Sequence, residues 1–185
     1  DVNGDGFSDV IVGADQFGSG WAFLYLGNGG YGLSRTPQQR RTDGSGPIGI
    51  LVLSDSQDAF RLRAVGRSPA GRANVRLEWE ARPLGVPLDG TNLSRSGWFD
   101  TGPPQASGST VPLDEAVTGL TPGTPYHWRL RLLSDDPFFP RSPWFSQPDN
   151  NRTETDFRTR ICHDQDGDGY GLPGDAVCPA GAEPD

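Results

Sequence analysis

The 185-residue chain contains no lysine and no methionine, and all 16 of its basic residues are arginine. Its 24 acidic residues give a formal net charge of −8 at pH 7, which argues against nucleic acid as a partner because phosphate binding needs a basic surface. No apolar run of about 18 residues occurs, so we expect no insertion into a membrane. There is also no signal peptide, and without methionine the chain cannot start at its own initiation codon, so we expect a processed product or a fragment.

Residues suited to catalysis are scarce. The two histidines, His127 and His163, are not accompanied by a nucleophile motif, a phosphate-binding glycine loop or an evident pair of carboxylates in a cleft. A zinc site built from Cys162, His163 and Cys178 would lack a fourth ligand and would compete with a disulfide bond. We therefore expect a protein that is not an enzyme.

Only two cysteines are present, and Cys162 and Cys178 bracket a single acidic loop near the C-terminus. That placement favours a disulfide bond, and hence an oxidising setting that is extracellular or at the cell surface. Two free thiols in a reducing cytosol are the alternative. Calcium-type loops in the chain also favour the extracellular setting, because loops of modest affinity bind calcium only where its concentration is high.

Glycine and proline are abundant, at 26 and 17 residues, which favours many turns and few helices. A Pro-Gly turn leads into a strand with strict alternation. The apolar side chains fall on one face and the basic ones on the other, and the two sets are Tyr126, Trp128, Leu130, Leu132 and His127, Arg129, Arg131. Such a strand is typical of an antiparallel sheet with one face on a core and one in water. The sequence therefore predicts an all-β, antiparallel β-sandwich.

Leu120, Pro122 and Tyr126 resemble the E-to-F corner of the fibronectin type III family. The resemblance implies that the tyrosine bonds back across the turn and that residues 48–160 form the sandwich. Another sandwich of similar size is the alternative. Further strands are expected at 48–53, 60–64, 74–82, 96–101, 108–113, 116–120 and 153–159, after a flexible linker over 35–47.

The expected third strand of the sandwich, 74–82, carries Glu78 and Glu80 on its outward face. Strands C and F are neighbours in such sandwiches, so these carboxylates should lie near Arg129 and Arg131. We expect exposed ion pairs, each worth only about 0.2–1 kcal/mol.

The first nine residues place oxygen-bearing side chains at every second position of a glycine-rich loop. Ca²⁺ takes six to eight oxygen ligands, and such a loop can bring them to one point. The expected ligands are the side chains of Asp1, Asn3, Asp5 and Asp9 and the carbonyl of Phe7. A solvated turn without metal is the alternative.

Two short apolar strands follow this loop. Together with it, residues 1–34 resemble one FG-GAP repeat, the blade unit of the integrin α-subunit propeller, whose calcium loop reads Asp-any-Asn-Gly-Asp-Gly-any-any-Asp. The resemblance implies a β-hairpin or blade unit, yet a propeller takes several blades and this chain holds one. Two or three strands alone are barely stable in water. We expect the repeat to pack on the sandwich, to belong to a longer parent or to complete a neighbouring molecule.

Residues 134–151 interleave four prolines with the aromatic residues Phe138, Phe139, Trp144 and Phe145. Four large aromatic side chains are too many to leave in water. They either fold back over the edge of the sandwich or form a partner-binding surface.

Residues 161–185 form a second calcium-type segment, with Asp164 as position 1 of an EF-hand-like loop. Asp166, Asp168, the Tyr170 carbonyl and Asp175 then occupy positions 3, 5, 7 and 12. The segment lacks flanking helices and is similar to the thrombospondin type 3 repeats of secreted proteins, which implies calcium binding. Aspartate at position 12 is shorter than the usual glutamate, which puts bidentate closure in question.

Together these features predict an extracellular, calcium-binding structural module that assembles with copies of itself into a surface fibre or filament. The alternative is a fragment of a larger integrin-like adhesin that binds an external protein or glycan through its loops.

Overall fold

A computed structural model of the chain describes residues 9–14, 20–25, 36–68, 71–104 and 109–161. These ranges contain strands and no helix, so none of their segments is a helix able to cross a membrane. The strands are β1 Val10–Ala14, β2 Trp21–Tyr25, β3 Gln38–Arg40, β4 Phe60–Gly66, β5 Asn74–Pro83, β6 Ser94–Arg95, β7 Phe99–Asp100, β8 Val111–Val117, β9 Pro125–Ser134, β10 Phe145–Ser146 and β11 Phe157–Arg158. The predicted all-β class is confirmed.

Strands β3 to β11 form two antiparallel sheets. The larger sheet has the order β10-β9-β5-β6, with β11 also paired to β9 and β7 also paired to β5, and the smaller sheet has the order β3-β4-β8. The long strands β5 and β9 pair from Val75↔Ser134 to Pro83↔Tyr126. Their alternating apolar side chains face the smaller sheet, and the structure is the predicted antiparallel β-sandwich.

The core between the sheets is rich in aromatic residues. Phe60 of β4 packs on Phe157 of β11 with ring centroids 4.4 Å apart, and Tyr126 stacks on Phe157 at 6.0 Å. Ile48, from the segment between β3 and β4, and side chains from both sheets complete it. The side chains from the sheets are Leu62, Ala64, Val75, Leu77, Trp79, Leu113, Val117, Trp128, Leu130 and Leu132. Because β4, β5, β8 and β9 all contribute buried residues, the sandwich has one continuous core of its own.

The structure corrects the position of the first strand of the sandwich. The strand expected at 48–53 is a turn region in which Leu51 is 69 % exposed with a positive φ of 64°. Its place beside β4 is taken by β3, within the segment expected to be a linker. Polar contacts hold β3 in place. The buried side-chain amide of Gln39 donates a hydrogen bond to the Asp156 carbonyl at 2.9 Å and accepts one from Trp128 Nε1 at 2.8 Å.

The turn before β9 has the expected corner. The backbone N–H of Thr121 donates to the Tyr126 hydroxyl oxygen at 2.8 Å, which confirms the predicted bond across the turn. Thr159 braces the same turn, because its hydroxyl donates to the Thr121 carbonyl at 2.7 Å and accepts a hydrogen bond from the Thr124 N–H at 3.0 Å. The chain direction into β9 is therefore fixed by side-chain hydrogen bonds.

Replacing Tyr126 with phenylalanine should lower the free energy of unfolding by about 1 kcal/mol, because the Thr121 N–H loses its acceptor. Tyr25→Phe is the matched control, since Tyr25 on β2 is 61 % exposed and should show almost no change. Urea unfolding followed by circular dichroism measures both. Equal midpoints for the two variants would show that the corner hydrogen bond does not stabilise the fold.

Strands β1 and β2 form a separate two-stranded sheet, paired from Val10↔Tyr25 to Ala14↔Trp21. Its large apolar side chains are between 39 % and 63 % exposed, and they are Val10, Ile11, Val12, Trp21, Phe23, Leu24 and Tyr25. Successive residues of a strand point to opposite faces, so both faces of this hairpin present apolar side chains to water. The predicted hairpin is present, and no other described strand pairs with it.

Candidate binding surfaces

The four aromatic residues of the 134–151 segment divide into two pairs. Phe138 and Phe139 are 85 % and 52 % exposed, at a turn in which Asp136 Oδ1 accepts the Phe138 N–H at 2.8 Å. Phe145 instead lies in β10 opposite Leu130 and packs against the core, and Trp144 lies over β9. Trp144 and Phe145 therefore fold back over the sandwich, which is one of the two expected alternatives, and Phe138 and Phe139 stay exposed as candidates for partner binding.

Glu78 and Glu80 lie opposite Arg131 and Arg129, as the sequence predicts. The expectation that these pairs are exposed is wrong, because both carboxylate side chains have no exposed surface. Glu78 accepts hydrogen bonds from Arg131 Nε at 2.6 Å and from Arg95 Nε at 2.5 Å. Burial would raise the pKa of Glu78, but the hydrogen bonds from the two arginines outweigh it and leave this pKa below its usual value.

Glu80 is held by two further arginines and by the backbone. Its Oε2 accepts hydrogen bonds from Arg129 Nη2 at 2.9 Å and from the Gly90 N–H at 3.1 Å, and its Oε1 accepts one from Arg82 Nε at 3.0 Å. Gly90 has a φ of +84°, a conformation that glycine adopts without strain. Each buried glutamate is thus flanked by two arginines.

Trp144 covers these ion pairs. The guanidinium carbons of Arg129 and Arg131 lie 4.4 and 4.3 Å from the centre of its ring, which is cation–π geometry. The indole ring shields the two β9 arginines from water, and Arg82 and Arg95 cover the glutamates from the β5 side. The burial was missed in the sequence because Arg95 and Trp144, which complete the cover, lie outside the two strands that carry the predicted ion pairs.

A groove of about 390 Å³ lies beside Trp144 on the outer face of the larger sheet. One wall is the turn over residues 84–88, and the other is formed by residues 144–146 with Arg152 and Thr153. His127 and Arg129 of β9 lie between the walls. The His127 ring nitrogens are 2.9 Å from the Arg152 carbonyl oxygen and 2.8 Å from that of Val86, so the ring contacts both walls.

Asp156 holds the loop that forms the second wall. Its carboxylate accepts hydrogen bonds from the Trp128 N–H at 2.8 Å and from Asn150 Nδ2 at 2.8 Å. Burial raises the pKa of Asp156, against the opposing effect of these two hydrogen bonds. The loop is therefore fixed to the same strand that carries His127 and Arg129.

The predicted calcium ligands and the cysteines fall almost entirely outside the described residues. The residues concerned are Asp1, Asn3, Asp5, Phe7, Asp164, Asp166, Asp168, Tyr170, Asp175, Cys162 and Cys178. Asp9 is described and lies half-buried immediately before β1. Within the described ranges, no group of three or more His, Cys, Asp or Glu side chains could hold a metal ion.

The described residues define an all-β protein that combines a β-sandwich with a two-stranded hairpin. The hairpin lies within residues 1–34, which match the family model of the FG-GAP repeat. Such repeats occur in extracellular or surface proteins of the integrin-α-like adhesion class, which is consistent with the predicted setting. No curated protein and no solved structure matches the chain.

Proposed function

We propose that this chain is a non-enzymatic, extracellular, calcium-binding structural module that assembles with copies of itself into a surface fibre or filament. The observation that carries the proposal is the β1–β2 hairpin, whose apolar side chains are exposed on both faces. The sandwich satisfies its own core, whereas a two-stranded hairpin is marginally stable at best by itself. The hairpin therefore needs strands or a surface from another source.

The edges of the hairpin are suited to pairing. No proline or lysine interrupts Val10–Ala14 or Trp21–Tyr25, and these are residues with which proteins usually protect exposed strand edges. Addition of a strand to such an edge supplies main-chain hydrogen bonds and covers the apolar faces. A contact between this hairpin and a different surface of the next copy does not close by two-fold symmetry, so its repetition produces a ring or a fibre.

A charged residue in the hairpin should abolish this association. Leu24→Arg places a cation on β2, where a partner strand would have to bury it without a counter-charge. Val52→Arg is the control, because Val52 lies outside the hairpin and is similarly exposed, at 52 % against 46 % for Leu24. Light scattering over a concentration series should show association for the parent chain and Val52→Arg and none for Leu24→Arg. If the two variants associate to the same extent, the hairpin is not the surface through which the copies associate.

Calcium forms the second part of the proposal. The FG-GAP match includes the acidic loop of residues 1–9, and the C-terminal loop that begins at Asp164 has ligand spacing like that of an EF-hand loop. The proposed disulfide between Cys162 and Cys178 closes that second loop and would restrict it in the unbound state. Calcium at both loops would stiffen the ends of the chain on either side of the sandwich.

Isothermal calorimetry should detect two Ca²⁺ sites that fill at or below about 1 mM, the weak end for extracellular modules. Asp5→Ala should remove one site and Asp168→Ala the other, and neither should change the urea midpoint of the sandwich. Asp43→Ala is a control, because this exposed aspartate lies in a turn of the sandwich. Heats that equal those of dilution for the parent chain would remove the calcium assignment.

The second candidate function is that of a fragment of a larger integrin-like adhesin that binds an external protein or glycan through its loops. The exposure of Phe138 and Phe139 favours it, as does the hydrogen bond at the Tyr126 corner, which the resemblance to fibronectin type III domains implies. A Phe138→Ser and Phe139→Ser double variant separates the two functions. It should leave self-association intact if the hairpin is the contact, and it should abolish attachment to a surface if this loop is the adhesive site.

A further inference from the structure

The groove on the outer face of the larger sheet combines an apolar lining with charge of one sign. Leu84 and Val86 on its first wall are 38 % and 43 % exposed, and they face a wall that contains Trp144 and Phe145. Burying such side chains against an apolar group is favourable. The Leu84 N–H donates to the Pro125 carbonyl of β9 at 2.9 Å, and Asp156 accepts the Trp128 N–H of β9 at 2.8 Å. Because both walls are attached to β9 in this way, the groove is formed before any ligand arrives.

The arginines that line the groove are Arg129 and Arg152, His127 lies between the walls, and no aspartate or glutamate is among the lining residues. Arg129 is already paired with Glu80. The exposed Arg152 side chain makes no hydrogen bond or ion pair within the part of the chain that the structure describes. In a chain with a net charge of −8, this is a local cationic site with a guanidinium available for a new partner.

We propose that this groove binds an acidic segment of a partner polypeptide, with one large apolar side chain inserted between Val86 and Trp144 and a carboxylate paired with Arg152. The charge of the lining selects an anion, and a guanidinium binds a carboxylate with two parallel hydrogen bonds. The mainly apolar walls favour a peptide side chain over a sugar, which would need several polar partners. This site is independent of the hairpin and of calcium.

The test uses the full chain, isotopically labelled, and a capped Gly-Asp-Phe-Asp-Gly peptide added in an NMR titration. Amide shifts should change at Gly85, Ser146 and Thr153, with a dissociation constant on the order of 100 µM, as for a small transient contact. The same peptide with asparagine in place of aspartate should bind about fivefold to tenfold more weakly, because the charge-assisted pair is lost. Replacing its phenylalanine with alanine should also weaken binding.

Two variants and a control make the assignment specific. Arg152→Gln retains the backbone carbonyl that faces His127 and should remove the preference for the aspartate peptide over the asparagine peptide. Val86→Asp, at an exposed position, should abolish binding by repulsion. Arg141→Gln is the matched control, because Arg141 is exposed and bridges to Leu133 at the far end of β9, and this variant should bind like the parent.

Three results would overturn the proposal. The first is an absence of groove shifts at millimolar peptide, and the second is peptide binding that is unchanged in both Arg152→Gln and Val86→Asp. The third is groove binding of an acidic oligosaccharide such as a uronate trimer in the absence of peptide binding, which would assign the site to a glycan instead.

Discussion

Replacing Glu80 with glutamine should lower the free energy of unfolding by about 3 kcal/mol, the low end for breaking a buried ion pair. The carboxylate is fully buried, and the paired Arg82 and Arg129 side chains are only 16 % and 19 % exposed. Glutamine has nearly the same shape as glutamate but no charge. Its side-chain NH2 group would face N–H donors where the carboxylate oxygen now accepts their hydrogen bonds. The arginines and the Gly90 N–H would then remain buried with incomplete pairing.

The control is an ion pair of the same chemistry in the smaller sheet. Arg61 Nε donates to Asp114 Oδ1 at 2.6 Å across β4 and β8, but these side chains are 28 % and 33 % exposed. Asp114→Asn should therefore lower stability by less than about 1 kcal/mol.

Urea denaturation measures the loss of unfolding free energy in both variants, provided that the dependence of this free energy on urea concentration stays the same as in the parent chain. If Glu80→Gln proves no more destabilising than Asp114→Asn, water reaches the Glu80 pair and the cover by Trp144 is not effective.

Deleting residues 1–34 should abolish self-association and leave the stability of the sandwich unchanged. The reason is that the first strand of the sandwich, β3, begins at Gln38, and the core residues lie between Ile48 and Phe157. Of the residues that the structure describes before Gln38, none belongs to that core. The truncated chain should unfold in urea at the same midpoint as the parent chain measured at a concentration where it is monomeric. A large drop in the midpoint would mean that the hairpin packs on the sandwich within one molecule.

The strands that the sequence predicted well are those with strict alternation of long side chains. In β5 and β9, Leu77 and Leu130 fall on the core face, and the opposite face carries the charged pairs. The Tyr126 corner was predicted from the resemblance to the fibronectin type III family, which depends on residues only a few positions apart. Local periodicity was sufficient for the two long strands.

The features that the sequence did not predict depend on contacts between distant residues. Strand β3 is short and polar, and Gln39 is buried only because Trp128 and the Asp156 carbonyl supply its hydrogen-bond partners. Glu78 has the pattern of an exposed charge and becomes buried when Arg95 of β6 and Arg131 of β9 close over it, with Trp144 on Arg131. Likewise, the groove needs the 84–88 turn and Arg152 to meet above His127. No single stretch of sequence contains such information.

Self-association through the hairpin is the central claim, and sedimentation velocity of the intact chain in 2 mM calcium, about twice the weak-end dissociation constant of extracellular modules, tests it most directly. Over a hundredfold range of concentration, we expect the weight-average sedimentation coefficient to rise continuously as copies add to one another. The chain that lacks residues 1–34 should sediment as a monomer throughout. A single monomeric boundary for the intact chain at every concentration would contradict the claim.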